Sequence, residues 1–234
     1  MLEKAEWDGI SVTVVFPYMA ESAVEKMKKL LIQLDQWCQK PGIETHGKPG
    51  KNRHLEKLEL VINDLGMVVM AEELKLKNLA LSMGTLLNRR RKDPRMFYKF
   101  GKKELLYENS LNAEFYRQYV RNEWNIHRIE WESCGYQQNI GGRQDFFGDD
   151  AGIASSIHIP YYQTNTSEYC TLYASCANGD RGKQNRVEHC PHYCEKYAFL
   201  YPDHLKMIGK GNSLFAFDLE ILRNREILRN YREQ

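Results

Sequence analysis

Four of the six cysteines in this 234-residue chain fall inside one short window, CTLYASCANGDRGKQNRVEHCPHYC. Cys170, Cys176, Cys190 and Cys194 stand there in the pattern C-x5-C-x13-C-x3-C. Cysteines serving only as core filler would not be expected to bunch in this way, so metal or redox chemistry is the first expectation. Thiolate sulfur is soft and selects zinc, Cu(I) or iron–sulfur clusters. Zinc knuckles use close cysteine pairs at both ends, and here only Cys190 and Cys194 form one. A cubane cluster is bulkier and accepts ligands on longer loops. Asn178, Gly179 and Gly182 would let such a loop fold back around a cofactor. His189 and His192 flank the third cysteine and keep a Cys/His zinc site open. Spacing therefore leaves three readings in order: a 4Fe–4S cluster, zinc, or a structural or redox role without metal.

Other residues carry weaker chemistry. Cys38 lies on the apolar stripe of a helix, where core packing explains it, and Cys134 stands alone near a glycine-rich segment. Asn63 and Asp64 end a strand, the place where a barrel sets its active-site residues; they also fit a helix cap before Leu65. Glu130 alternates with Ile129 and Trp131 and is expected to face a barrel interior. A carboxylate there needs a partner such as Arg95, Arg128 or His158, so an ion pair is favoured over acid–base work. His158 in an apolar strand reads as a satisfied core histidine or, secondarily, as a site residue. Residues 89–103 hold Arg89, Arg90, Arg91, Lys92, Arg95, Lys99, Lys102 and Lys103 against the single acid Asp93. With Phe97, Tyr98 and Phe100 interleaved, this run suits phosphate, RNA or an acidic partner; the plainer alternative is a solvated face.

These residues need elements to position them. ISVTVVF (10–16) is β-branched and bounded by Gly9 and Pro17, which predicts a strand. From Glu21 to Lys40 the stripe Val24, Met27, Leu31, Leu34 and Cys38 predicts a helix, ended by Pro41-Gly42. Residues 43–54 read as a loop. LELVIND (58–64) reads as a strand, LGMVVMAEEL as a short helix and NLALSMG (78–84) as another strand. A helix is expected at about 110–124, then a strand at IHRIEWE (126–132). Residues 134–154 read as a glycine-rich loop and SSIHIPYY (155–162) as a strand entering the cysteine window. HLKMIGKGNSLFAFD predicts two short strands around a glycine turn, and the tail LEILRNREILRNYREQ predicts a helix.

Strands alternating with helices indicate α/β architecture with a largely parallel sheet. About six strands in a chain somewhat short of the roughly 250 residues of a closed barrel point to a compact or incomplete (β/α) TIM-like barrel, with the cysteine-rich segment inserted as a metal-binding loop at 163–200. The chain is expected to form a single domain over 1–234. Aromatic content of 12% argues against a disordered chain, and a net charge of +2 argues against a protein coated in nucleic acid. No apolar stretch approaches a membrane span. The start, MLEKAEWDG, has no apolar h-region, so a reducing, cytoplasmic location is expected and a disulfide framework is the weaker reading.

Several segments also carry a family resemblance. YCTLYASC…EHCPHYC is similar to the cysteine signature of the collagenase-like peptidase family (PrtC type). That family includes the anaerobic ubiquinone-hydroxylation (UbiU/UbiV-like) and RNA-hydroxylating branches. LELVINDLGMVVMAE, LALSMGTLLNRRRKDPRM, VRNEWNIHRIEWES and SIHIPYYQTNTSEYC resemble successive strand and helix segments of the family, in the same order, over about residues 56–200. The resemblance implies a 4Fe–4S cluster held by Cys170, Cys176, Cys190 and Cys194, with Cys38 as the alternative fourth ligand. It implies oxygen-independent hydroxylation or a related redox modification of a small aromatic lipid precursor or of RNA. Asn63, Asp64, Glu130 and His158 would then position substrate. Peptidase activity does not follow, because the sequence holds neither Gly-x-Ser-x-Gly nor His-Glu-x-x-His. Two other classes remain: a non-catalytic zinc- or cluster-stabilised subunit that completes its barrel as an oligomer with another barrel protein of the family, and an RNA-modification protein using the basic run.

Overall fold

The computed structural model describes residues 1–40, 57–90, 108–126, 128–133, 154–183, 187 and 189–223. The loops read at 43–54 and 134–154, Cys134, most of the basic run and the end of the tail helix lie outside these residues. In chain order the elements are α1 (Leu2–Trp7), β1 (Thr13–Val15), α2 (Val24–Cys38), β2 (Leu58–Ile62), α3 (Leu65–Glu73), β3 (Leu79–Met83), α4 (Glu114–Asn122), β4 (Arg128–Glu132) and β5 (Ala154–His158). They continue with β6 (Tyr161–Thr166), α5 (Thr171–Asn178), α6 (Tyr193–Lys196), β7 (Phe199–Leu200), β8 (Met207–Lys210), β9 (Ser213–Phe217) and α7 (Leu219–Arg223). The α1 helix has no counterpart in the sequence reading.

The first five strands form one sheet in the order β1-β2-β3-β4-β5. Pairing is parallel from β1 through β4, with Thr13 opposite Glu59, Leu60 opposite Leu81 and Ser82 opposite Arg128. A parallel pair needs a crossover, and α2, α3 and α4 supply them. Because each new strand joins beside the one before it, the order never reverses as it does in doubly wound sheets. It is the strand order of half a barrel, which agrees with the expected α/β class.

Helix α2 buries Leu31, Leu34 and Cys38, the lower part of the predicted stripe. Full burial of a side chain such as Leu31 contributes about 1.5–3 kcal/mol. Helix α3 starts at Asp64, whose carboxylate accepts the Gly66 N–H at 2.7 Å, and it buries Met67, Val68, Met70 and Ala71. In β2, Leu60, Val61 and Ile62 are completely buried.

The chain divides into two compact units. One is drawn from within Met1–Arg89, Ala113–Trp131 and Gly142–Ser156; the other from within Arg90–Asn112, Glu132–Gly141 and Ile157–Gln234. The second unit carries an antiparallel sheet ordered β6-β9-β8-β7. Its small core packs Tyr162 and Ala216 with Met207. SSIHIPYY, read as one strand, is split: β5 ends at His158 in one sheet and β6 begins at Tyr161 in the other. Pro160 between them has no N–H to continue a ladder. The expected glycine turn is present, with Lys210 opposite Ser213 and Gly211 at φ +63°.

Candidate functional site

The cysteine window, expected as a loop at 163–200, includes short regular elements among its described residues. It is built from the end of β6, helices α5 and α6, and β7. Cys170 is the N-cap of α5, and its Sγ accepts the Tyr173 N–H at 3.3 Å. Helix α5 stops at Gly179, which takes the left-handed conformation that L residues with a Cβ avoid. Cys176 is exposed on the same helix. Cys190 is exposed just before α6, and Cys194 is half-buried within it. The two helices meet through Tyr173 and Tyr193, whose ring centroids are 6.2 Å apart. Both helices also reach the β8–β9 turn: the Leu172 N–H meets the Gly211 carbonyl at 3.5 Å, and Cys194 Sγ lies 3.9 Å from where a Cβ on Gly211 would sit. All five described cysteines are free thiols.

Among the described residues, no three His, Cys, Asp or Glu side chains come close enough together to hold a metal ion. His192 instead bonds Glu195 within α6, at 3.0 Å and largely in solvent. Cys38 is buried on α2 in the first unit, the packed position its stripe predicts. The donor chemistry of the window still fits a thiophilic metal or cluster: free thiols on two touching short helices, one already receiving an amide N–H. Zinc-type and cluster sites commonly gather their ligands only as they load, because binding and local folding are coupled.

The strand-end candidates have structural work. Asn63 Nδ2 donates to the Phe16 carbonyl at 2.9 Å, and its Oδ1 accepts the Leu86 N–H at 3.1 Å. It thereby ties the ends of β1, β2 and β3 together. Asp64 caps α3 and also accepts the Met19 N–H at 3.3 Å. His158 is exposed, not buried, and its carbonyl accepts the Ser133 N–H at 3.0 Å. Glu130 is buried and receives Arg128 Nη2 at 3.2 Å, so Arg128 serves as a partner from the expected set.

Arg128 belongs to a row that sequence reading missed. One polar side chain from each strand of the first sheet joins it: Thr13, Glu59, Ser82, Arg128 and Ser156. Thr13 Oγ1 donates to Glu59 Oε2 at 2.6 Å and Ser82 Oγ to Glu59 Oε1 at 2.7 Å. Arg128 donates to Glu59 through Nε and to Ser156 through Nη1. Burial by itself would raise the Glu59 carboxyl, but the bonds from Thr13, Ser82 and Arg128, together with the Arg128 charge, hold it below its ordinary value. A carboxylate so stabilised is a weak base, so the row braces the sheet and is poorly suited to proton transfer. The available signal is that parallel strands usually read as unbroken apolar runs, whereas LELVI, LALSM and RIEWE each carry a polar interruption.

The basic run separates at its start. Arg89 is exposed near Tyr116, whose hydroxyl burial pushes upward in pKa and the Arg89 charge pulls partly back. Arg90 is 3% exposed and committed: Nη2 donates to the carbonyls of Glu132 (2.6 Å) and Ser133 (3.2 Å) and lies 3.7 Å from the Glu132 carboxylate. Glu132 also accepts the Gln163 N–H at 2.9 Å. Arg90 therefore offers no open charge to phosphate. Arg91, Lys92 and Arg95 lie outside the described residues. Among the described residues, no helix is long and apolar enough to cross a membrane.

No family model, curated protein or solved structure matches this chain.

Proposed function

We propose that the chain is a thiolate-liganded iron–sulfur protein built on an incomplete (β/α) barrel, serving oxygen-independent hydroxylation or a related redox modification. The observation that supports this reading is the placement of four free thiols along one short stretch of the second unit, Cys170 and Cys176 on α5, Cys194 on α6 and Cys190 just before it, with the elements bearing Cys170 and Cys194 both against the Gly211 turn. Cys170, Cys176, Cys190 and Cys194 would hold the group. A 4Fe–4S cluster supplies one-electron transfer when bound. Amide N–H bonds to ligand sulfur help set a cluster's potential, and the Tyr173 N–H already makes one to Cys170. Gly211 holds the turn at φ +63°, a left-handed conformation that favours glycine.

Iron and acid-labile sulfide measured on anaerobically purified full-length chain test the proposal. About four of each per chain are expected, with both falling sharply in a Cys190→Ala/Cys194→Ala variant. Zinc without sulfide, or iron and sulfide unchanged in the variant, would overturn it.

A further inference from the structure

Beside the cysteine helices, on the same unit, lies an open groove of about 450 Å³. Among the described residues its lining carries one cation, Arg181, and no acid. Asn165, Ser167, Thr171, Tyr201 and Asn212 surround it with neutral hydrogen-bonding groups.

The Arg181 side chain is held by aromatic rings. Its guanidinium carbon sits 5.6 Å from the Phe199 ring centre and 5.7 Å from that of Tyr201. Cation–π attraction to both rings holds the exposed guanidinium near them without spending its N–H donors. Phe199 is itself seated over Gly209, its partner across β7 and β8, where a Cβ would come within 1.9 Å of the ring. Among the described residues Arg181 has no carboxylate partner. The side-chain amide of Asn165 and the hydroxyl of Tyr201 likewise make no hydrogen bond to other described residues. Asn165 stands at an irregularity in the β6–β9 register, between Gln163 and Asn165, and such bulges re-aim a side chain. The remaining lining is rigid: Asn212 Nδ2 donates to the Ser167 carbonyl at 2.8 Å, and the Ser167 N–H returns to the Asn212 carbonyl at 2.9 Å.

We infer that this groove binds a small organic oxyanion, a carboxylate or phosphate ester, with the anionic group on the Arg181 fork and polar substituents on Asn165 and Tyr201. A planar guanidinium whose N–H donors are unspent can pair two oxygens of such a group at once. The volume is that of a small-molecule site, not of a macromolecular surface. Binding does not depend on the cysteines being loaded.

The test is an NMR titration of the isotope-labelled full chain with inorganic phosphate and, separately, with malonate, at constant ionic strength set by chloride. Saturable shifts are expected at the Gly182 and Asn212 amides. Arg181→Gln should weaken binding by about tenfold or more, Arg181→Lys by less, and Asn165→Ala by a few-fold. A preference between the two probes assigns the oxyanion class. Shifts that grow linearly without saturating, or binding equal in wild type, Arg181→Gln and Asn165→Ala, would overturn the inference. Running the same titration on the Cys190→Ala/Cys194→Ala chain separates this site from the metal reading: loss of iron with binding intact leaves the groove standing.

Discussion

Replacing Glu59 by Gln removes one charge from the row that crosses the first sheet and changes little else in shape. The Gln carbonyl can still accept from Ser82 and Arg128 in place of Oε1, whereas the amide nitrogen cannot accept from Thr13 as Oε2 does. Charge assistance to the Arg128 bond is worth about 1 kcal/mol over a neutral bond, and the mismatched Thr13 contact about 0.5–1 kcal/mol more. The side chains of Arg128 and Glu59 are 20% and 26% exposed, so solvent screens part of this. The expected loss is about 1–2 kcal/mol at neutral pH. All four tryptophans, Trp7, Trp37, Trp124 and Trp131, belong to the first unit, so urea unfolding followed by tryptophan fluorescence reports that unit specifically. The pH dependence has a definite sign. Glu59 has a folded pKa below its unfolded one, so the unfolded chain binds the proton first and the stabilisation is complete above the ordinary carboxylate range. It disappears as pH falls through the depressed folded value. The gap between wild type and Glu59→Gln should therefore be full at pH 7 and close in strong acid. A gap of the same size at both ends, or no gap at neutral pH, would refute the account of Glu59 as a charged brace.

Two further substitutions test close approaches. Gly84→Ala would place a Cβ 2.2 Å from Asn63 Oδ1, an atom held by the Leu86 N–H, so the tie between strand ends must break; a loss of about 2–4 kcal/mol is expected in the same fluorescence assay. Gly209→Ala would displace the Phe199 ring, and the expected signature is an altered Arg181 side-chain NMR signal, with tryptophan-monitored stability of the first unit unchanged.

Local periodicity foretold the elements whose own sequence decides them. The α2 stripe, the β2–α3–β3 succession and the β8–β9 hairpin all depend on spacing, a cap or a turn glycine within a few residues. Features decided by register were hidden. Nothing local says that Thr13, Glu59, Ser82 and Arg128 share a row, because that follows from how four separate strands align. A charge run shows composition and not burial, so Arg90 could not be told from Arg89, although one is enclosed and the other exposed. In the cysteine window, clustering was plain, but helix α5 was not foreseen. Its cap is a cysteine, outside the usual Ser, Thr, Asp and Asn, leaving only the Asn178-Gly179 stop as a cue. Pro160, which lacks an N–H, is the local sign that 155–162 cannot be one continuous strand.

The singly wound strand order has a consequence for synthesis. Chains emerge from the ribosome N-terminus first, and domains tend to fold as they appear. Glu59 arrives early with only hydroxyls to meet it, while the guanidinium that neutralises it comes 69 residues later. Until Arg128 is released, the partners that β1 and β3 offer the Glu59 carboxylate in this row are the hydroxyls of Thr13 and Ser82. The row's positive charge thus enters only with the fourth strand.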